Sequence, residues 1–102
     1  MTINAGAKGC RIEKACEDEL RAEGYITWKA IRAQYQNIDI FGLFDVVGVA
    51  PDGSHMRFIQ CKSNRCDSKT REAVKSIRMP RACEKWIWIW KDRKHWIKEF
   101  YD

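Results

Sequence analysis

The chain has 102 residues, 45% of them hydrophobic and 32% charged, which fits a single globular domain over 1–102 and excludes a disordered chain. Its net charge of +5 is unevenly placed: residues 1–56 carry six Lys/Arg against eight Asp/Glu, and residues 57–102 carry thirteen against six. A basic second half favours a polyanionic partner, nucleic acid before an acidic membrane, and no apolar run is long enough to cross a bilayer. The cysteines at 10, 16, 61, 66 and 83 form no CxxC pair and follow no signal peptide. That pattern predicts reduced thiols packed as small core residues in a cytoplasmic protein.

Residues 1–7 are small and polar and read as a loose N-terminus. Helical periodicity covers 8–23, where Ile12, Cys16 and Leu20 recur at i, i+4 and i+8 with Ala15 beside them. Gly24 follows where a left-handed cap is expected. Glu13 and Glu17 come one position after Ile12 and Cys16, so they border the buried stripe; solvation and helix-start charge account for most of this acidic face, Asp18 and Glu19 included. The β-branched and aromatic run 25–31 predicts a first strand, and 32–37 a polar loop.

Residues 38–64 then read as two antiparallel strands joined at Asp52-Gly53, with both turn residues at positive φ. If those two form the loop, Pro51 faces Ser54 and Asp45 lies opposite Gln60, with Lys62 on the same face. A one-residue slip would send Gln60 and Lys62 to the other face. Further on, Asp67 or Ser68 can cap a short helix whose apolar face is Ala73, Val74 and Ile77, ended by Pro80. Residues 84–91 alternate Trp86, Trp88 and Trp90 with Ile87 and Ile89, the signature of an inner strand covered on both faces. Asp92-Arg93 turns the chain, and 94–101 returns as an edge strand. The expected order is α-β-β-β-α-β-β.

Asp45 opens an apolar strand, and Gln60 and Lys62 end another. The Asp45 carboxylate, the Gln60 side-chain carbonyl and the Cys61 backbone carbonyl form an all-oxygen set suited to a hard divalent cation. Lys62 would lie close enough to steady a hydroxide or a phosphate. An exposed cross-strand ion pair is the competing explanation.

Three stretches together resemble the PD-(D/E)XK nuclease superfamily, in particular its Holliday-junction-resolvase-like branch from archaea, their viruses and some phages. Lys8-Gly9-x-x-x-Glu13 is similar to that branch's Lys-Gly-x-x-x-Glu helix opening. Phe44-Asp45-Val46-Val47 stands in the place of its Pro-Asp-hydrophobic strand. Ile59-Gln60-Cys61-Lys62-Ser63 is similar to its hydrophobic-(Glu)-x-Lys-Ser strand. The resemblance covers nearly the whole chain. It implies an α/β (α+β) fold with a restriction-endonuclease-like αβββαβ core, a mixed central sheet flanked by helices.

It also implies Mg²⁺-dependent hydrolysis of DNA phosphodiesters (Mn²⁺ as substitute). Asp45, Gln60 and the Cys61 carbonyl would be ligands, Glu13 would act directly or through water, and Lys62 would be the catalytic lysine. The chain departs from the pattern twice: Gln60 replaces the usual acid, and residues 32–37 lack the Ser/Gly loop of cellular resolvases. The expected substrate is branched DNA, cut by a homodimer with two symmetric sites. Lys8, Arg32, Ser63, Arg65, Lys69, Arg71, Lys75 and Arg78 are candidate DNA contacts. Asp39 rivals Asp45, His55 and His95 read as surface histidines, and Trp28 and Trp96 as core. Small size suggests a viral or phage product acting inside a host cell. Other classes consistent with the residues are a general repair or restriction-type nuclease, a non-catalytic nucleic-acid-binding module, and a protein-binding Trp-rich sheet.

Overall fold

The computed structural model describes residues 4–29, 40–41 and 43–101, with residues 4–10 as backbone only. The element order is α1 (Asn4–Ala22), β1 (Ile26–Lys29), β2 (Val46–Val49), β3 (Met56–Ser63), α2 (Ser68–Ser76), β4 (Cys83–Lys91) and β5 (His95–Tyr101). This is the order expected from the sequence. The first helix starts earlier than its apolar stripe suggests, so 4–7 are helical and not loose. Ala5 and Ala7 are strong helix formers, and propensity carries the helix past its packed face.

α1 ends at Gly24, with φ +92 and a pair of bonds that close the last turn: Gly24 N–H to the Arg21 carbonyl (2.9 Å) and Tyr25 N–H to the Leu20 carbonyl (3.0 Å). α2 is capped by Asp67, whose carboxylate accepts the Thr70 N–H at 2.8 Å. Among the described residues, no helix is long and apolar enough to cross a membrane.

The five strands form one mixed sheet in the order β1-β2-β3-β4-β5. β3 and β4 are parallel, and every other neighbouring pair is antiparallel. α2 makes the crossover that a parallel pair needs. Side chains alternate across the sheet, so each face has its own core. Cys16 and Leu20 of α1 pack with Val46, Ile59 and Trp88 on one face; Val74 of α2 packs with Phe58, Ile87 and Ile89 on the other. β4 is the inner strand covered on both sides, with Ile87, Trp88 and Ile89 all buried. β5 lies at an edge.

The register of the central hairpin is the expected one: Val46 faces Ile59 and Val49 faces Met56. Its turn differs. Ala50 and His55 close the ladder, the Gly53 N–H bonds the Ala50 carbonyl at 2.9 Å, and only Gly53 has positive φ (+70). The loop is therefore 51–54, with Pro51 at the position where its fixed φ suits a turn. Asp52 is not left-handed; its carboxylate accepts the Ser54 N–H at 2.9 Å. Two further residues on the turn side keep the parity, and so the faces, unchanged. At Asp92-Arg93, by contrast, both φ values are positive (54 and 58).

Trp28 is not core: it is 51% exposed, on the edge strand β1 beside Ile26 at 73%. Trp96 packs against Trp88 and Trp90, as expected of a core residue.

Candidate functional site

β2 is shorter than β3, and the site lies where β2 runs out. Ile40 and Phe44 exchange backbone bonds of 2.8 and 2.9 Å, making a tight turn that takes the chain away from the sheet before residue 45. The Asp45 N–H still donates to the Ile59 carbonyl at 2.9 Å. Two residues along β3, the Cys61 N–H points to the same edge and finds no β2 backbone opposite it. The Asp45 Oδ2 accepts that N–H at 2.9 Å. A carboxylate thus takes the place of the missing strand's carbonyl, and it docks on the residue between Gln60 and Lys62.

Asp45 is 4% exposed and Glu13 2%. Glu13 reaches the sheet from α1, one position after Ile12 in the buried stripe. Its negative charge and that of Asp45 both act on the Cys61 thiol. That thiol is pushed well above its usual range, first by its hydrogen bond with Cys16, then by burial and by these charges. Glu13 and Asp45 therefore both lie within Coulombic reach of Cys61. Glu17, the other acid bordering the stripe, is structural: it accepts from Thr27 Oγ1 at 2.9 Å and pairs with Arg21 at 3.3 Å.

Gln60 and Lys62 alternate with Cys61 and so project on the α2 face, in line with Phe58. Lys62 is half-buried there and helps depress the Asp67 carboxyl, which is lowered first by its bonds to Thr70; it also opposes the burial that raises Cys66. The lysine thus lies within Coulombic reach of the start of α2. Around it, Arg65 and Lys69 are exposed. Lys75 is exposed and sits 3.5 Å from Glu72. Arg78 is exposed but lies past the helix end, off its outer face. Arg71 is engaged: its Nε and Nη2 each donate to Glu99 at 2.9 Å, a bidentate pair across to β5. The candidate residues Arg32 and Asp39, and the side chain of Lys8, lie outside the described residues.

The donor set consists of oxygens, two from buried carboxylates, which fits Mg²⁺ or Mn²⁺ and not a thiolate-seeking metal. No three His, Cys, Asp or Glu side chains group as a metal cage among the described residues. Glu13 and Asp45 lie by Cys61 on the α1 face, whereas the Gln60 and Lys62 side chains project on the α2 face, so the structure does not bring the expected residues 13, 45, 60 and 62 together on one face.

Sequence reasoning missed two features. Lys85, 2% exposed on β4, donates to the Ile77 carbonyl at 2.7 Å and the Lys75 carbonyl at 3.2 Å, closing the end of α2. Asn64, left-handed at φ 66, accepts the Asp92 N–H on its side-chain oxygen at 2.9 Å and so fixes the β4–β5 turn beside the end of β3. A polar residue directly after a strand, where a positive φ suits Asn, was the available signal for Asn64. Lys85 sits within a strand pattern and had none. His55 is more than a surface histidine: its Nε2 shares a 2.7 Å hydrogen bond with the Tyr25 hydroxyl and its Nδ1 a 2.9 Å bond with Ser54 Oγ.

No protein-family model, curated protein or solved structure matches this chain.

Proposed function

We propose that the protein is a Mg²⁺-dependent endonuclease for branched DNA, resembling the Holliday-junction-resolvase branch of the PD-(D/E)XK nucleases and acting as a homodimer. The observation that supports this reading is the Asp45 carboxylate seated on the N–H of Cys61, the residue between Gln60 and Lys62 in the adjacent strand. The αβββαβ order and the mixed sheet between two helices support it.

Asp45 and the Cys61 carbonyl would hold the cation at the open edge of β3, with Glu13 on its α1 side and Gln60 reaching it from the α2 side. When bound, the cation lowers the pKa of a water and offsets charge on the scissile phosphate. Asp45 is held in place by its bond to the strand, so it needs no rearrangement to serve as a ligand. Lys62 supplies a fixed positive charge for the phosphate oxygens as negative charge builds on them. Arg65 and Lys69, exposed near the start of α2, are placed to meet phosphates of a duplex arm. Arg71 is given a structural role by its pairing with Glu99.

The test is incubation of a labelled four-way junction and a matched linear duplex with the protein in Mg²⁺ or in EDTA. The reading expects the junction to be nicked in Mg²⁺ only. Equal cutting of the linear duplex would replace it with a general repair or restriction-type nuclease. Gln60 in the place of an acid favours one second reading, a nucleic-acid-binding module without catalysis. Salt-sensitive binding with no cleavage in Mg²⁺ or Mn²⁺ would establish that alternative.

A further inference from the structure

A cleft of about 390 Å³ opens between the first half of α1 and the carboxyl ends of the parallel strands β3 and β4. Its volume is within the range of small-ligand sites. Ile12 and Trp90 give it apolar surface, and Ser63, Asn64, Arg11 and Arg93 line it with polar and charged groups. Both arginines are exposed, while Trp90 is half-buried.

Three features make this cleft a built site. Ser63 and Trp90 are register partners, so hydroxyl and indole share one face of the sheet at the strand ends. Trp96 packs against Trp90 with ring centres 4.9 Å apart and planes at 60°, which props the indole in place. Asn64 fastens the turn that carries Arg93: its N–H donates to the Trp90 carbonyl at 2.9 Å, its side chain accepts from Asp92, and its carbonyl accepts from Lys91 at 3.2 Å. One cationic lining residue is thus set by α1 and the other by a pinned turn. A flat ring beside two guanidiniums suits a ligand with an aromatic face and a phosphate.

We propose that this cleft holds one unpaired nucleotide of the DNA substrate, its base against Trp90 and its phosphate between Arg11 and Arg93. The proposal rests on the nuclease reading for its substrate and gives that reading a reason for branch selectivity. The cleft opens on the α1 face at the end of β3, one residue beyond Lys62, whose side chain projects on the other face. A base within continuous duplex is stacked and paired and cannot enter. A base at a branch point is extruded at lower cost.

The probes are thymidine 5′-monophosphate, thymidine and inorganic phosphate, each titrated into the full chain in EDTA and followed by tryptophan fluorescence. The monophosphate is expected to bind more tightly than either fragment. Arg11→Ala and Arg93→Ala, both at exposed positions, are each expected to weaken it about tenfold, as the loss of a charge-assisted hydrogen bond would. Inorganic phosphate binding as tightly as the monophosphate would overturn the proposal, as would monophosphate binding indifferent to both substitutions. Arginine-dependent binding by a chain that cuts no DNA would sink the nuclease reading and leave the pocket. Junction cleavage without nucleotide binding would do the reverse.

Discussion

The carboxylate of Asp45 takes the N–H of Cys61 at 2.9 Å, where a longer second strand would have offered a carbonyl. The bond serves the fold by satisfying a backbone donor at a half-buried sheet position, and in the proposed site it would orient an acid. These two roles separate by substitution. Asp45→Asn keeps an oxygen acceptor and removes the charge, so it should change stability by less than about 1 kcal/mol yet abolish cleavage. Asp45→Ala should cost about 1–3 kcal/mol as well, because it orphans the N–H. Urea unfolding of both variants, beside junction cleavage, checks the separation.

Lys85 should be a stability residue with no part in DNA chemistry. Its ammonium closes the carbonyl end of α2 from within the sheet. Lys85→Met retains most of the packing but leaves those carbonyls without their donor, a loss of about 1–3 kcal/mol by urea unfolding. DNA binding measured well below the unfolding midpoint should be unchanged.

The Arg71–Glu99–Tyr101 cluster should make stability depend on pH at both ends of the scale. The bond from Arg71, aided by the Tyr101 hydroxyl, holds the Glu99 carboxyl below its ordinary range. Its contribution is therefore present above the unfolded carboxyl pKa of about 4.3 and is lost as pH falls through the lower folded value. Burial, and then the bond to Glu99, push Tyr101 up to about 12. That contribution is whole below the unfolded pKa of about 10 and is lost as pH rises toward the folded value. The stability gap between wild type and Glu99→Gln should close in acid, and the gap to Tyr101→Phe should close in alkali. Urea unfolding across pH reads both.

Gly48 lies under α1. A Cβ built there would sit 3.1 Å from Leu20 Cδ1 and 3.2 Å from Tyr25 Cδ2, tighter than ordinary contact. Gly48→Ala should therefore destabilise by about 1–3 kcal/mol through overpacking, read as a lower urea midpoint.

What the sequence disclosed followed from local pattern. The Ile12-Cys16-Leu20 stripe, the Gly24 stop, the Asp67 cap and the Trp/Ile alternation of β4 are each properties of a few adjacent residues, and each has its counterpart in the structure. The register of Val46–Val49 on Met56–Ile59 was legible because face depends only on parity, so the different turn at 51–54 left it intact. The expected pairing of Asp45 with Gln60 lies beyond that ladder, where the Asp45 N–H bonds Ile59 and its carboxylate bonds Cys61 instead. Relations between distant residues stayed hidden. Nothing near Arg71 announces Glu99, 28 positions on, and nothing near Lys85 announces the end of α2. Trp28 misled for a related reason: an aromatic β pattern says strand but does not say whether that strand lies at an edge. The use of Asp45 as a substitute for a strand partner depends on where β2 stops, which the 40–44 turn decides.

The most direct measurement is the single-turnover rate at which wild type and Lys62→Ala cut a labelled four-way junction in Mg²⁺, at protein concentrations where both bind it. Wild type should nick the junction, and the variant should be slower by at least about a hundredfold with binding within a few-fold of wild type. Equal rates for the two proteins, or no cutting by wild type in either Mg²⁺ or Mn²⁺, would contradict the assignment of residues 45, 60 and 62 to catalysis.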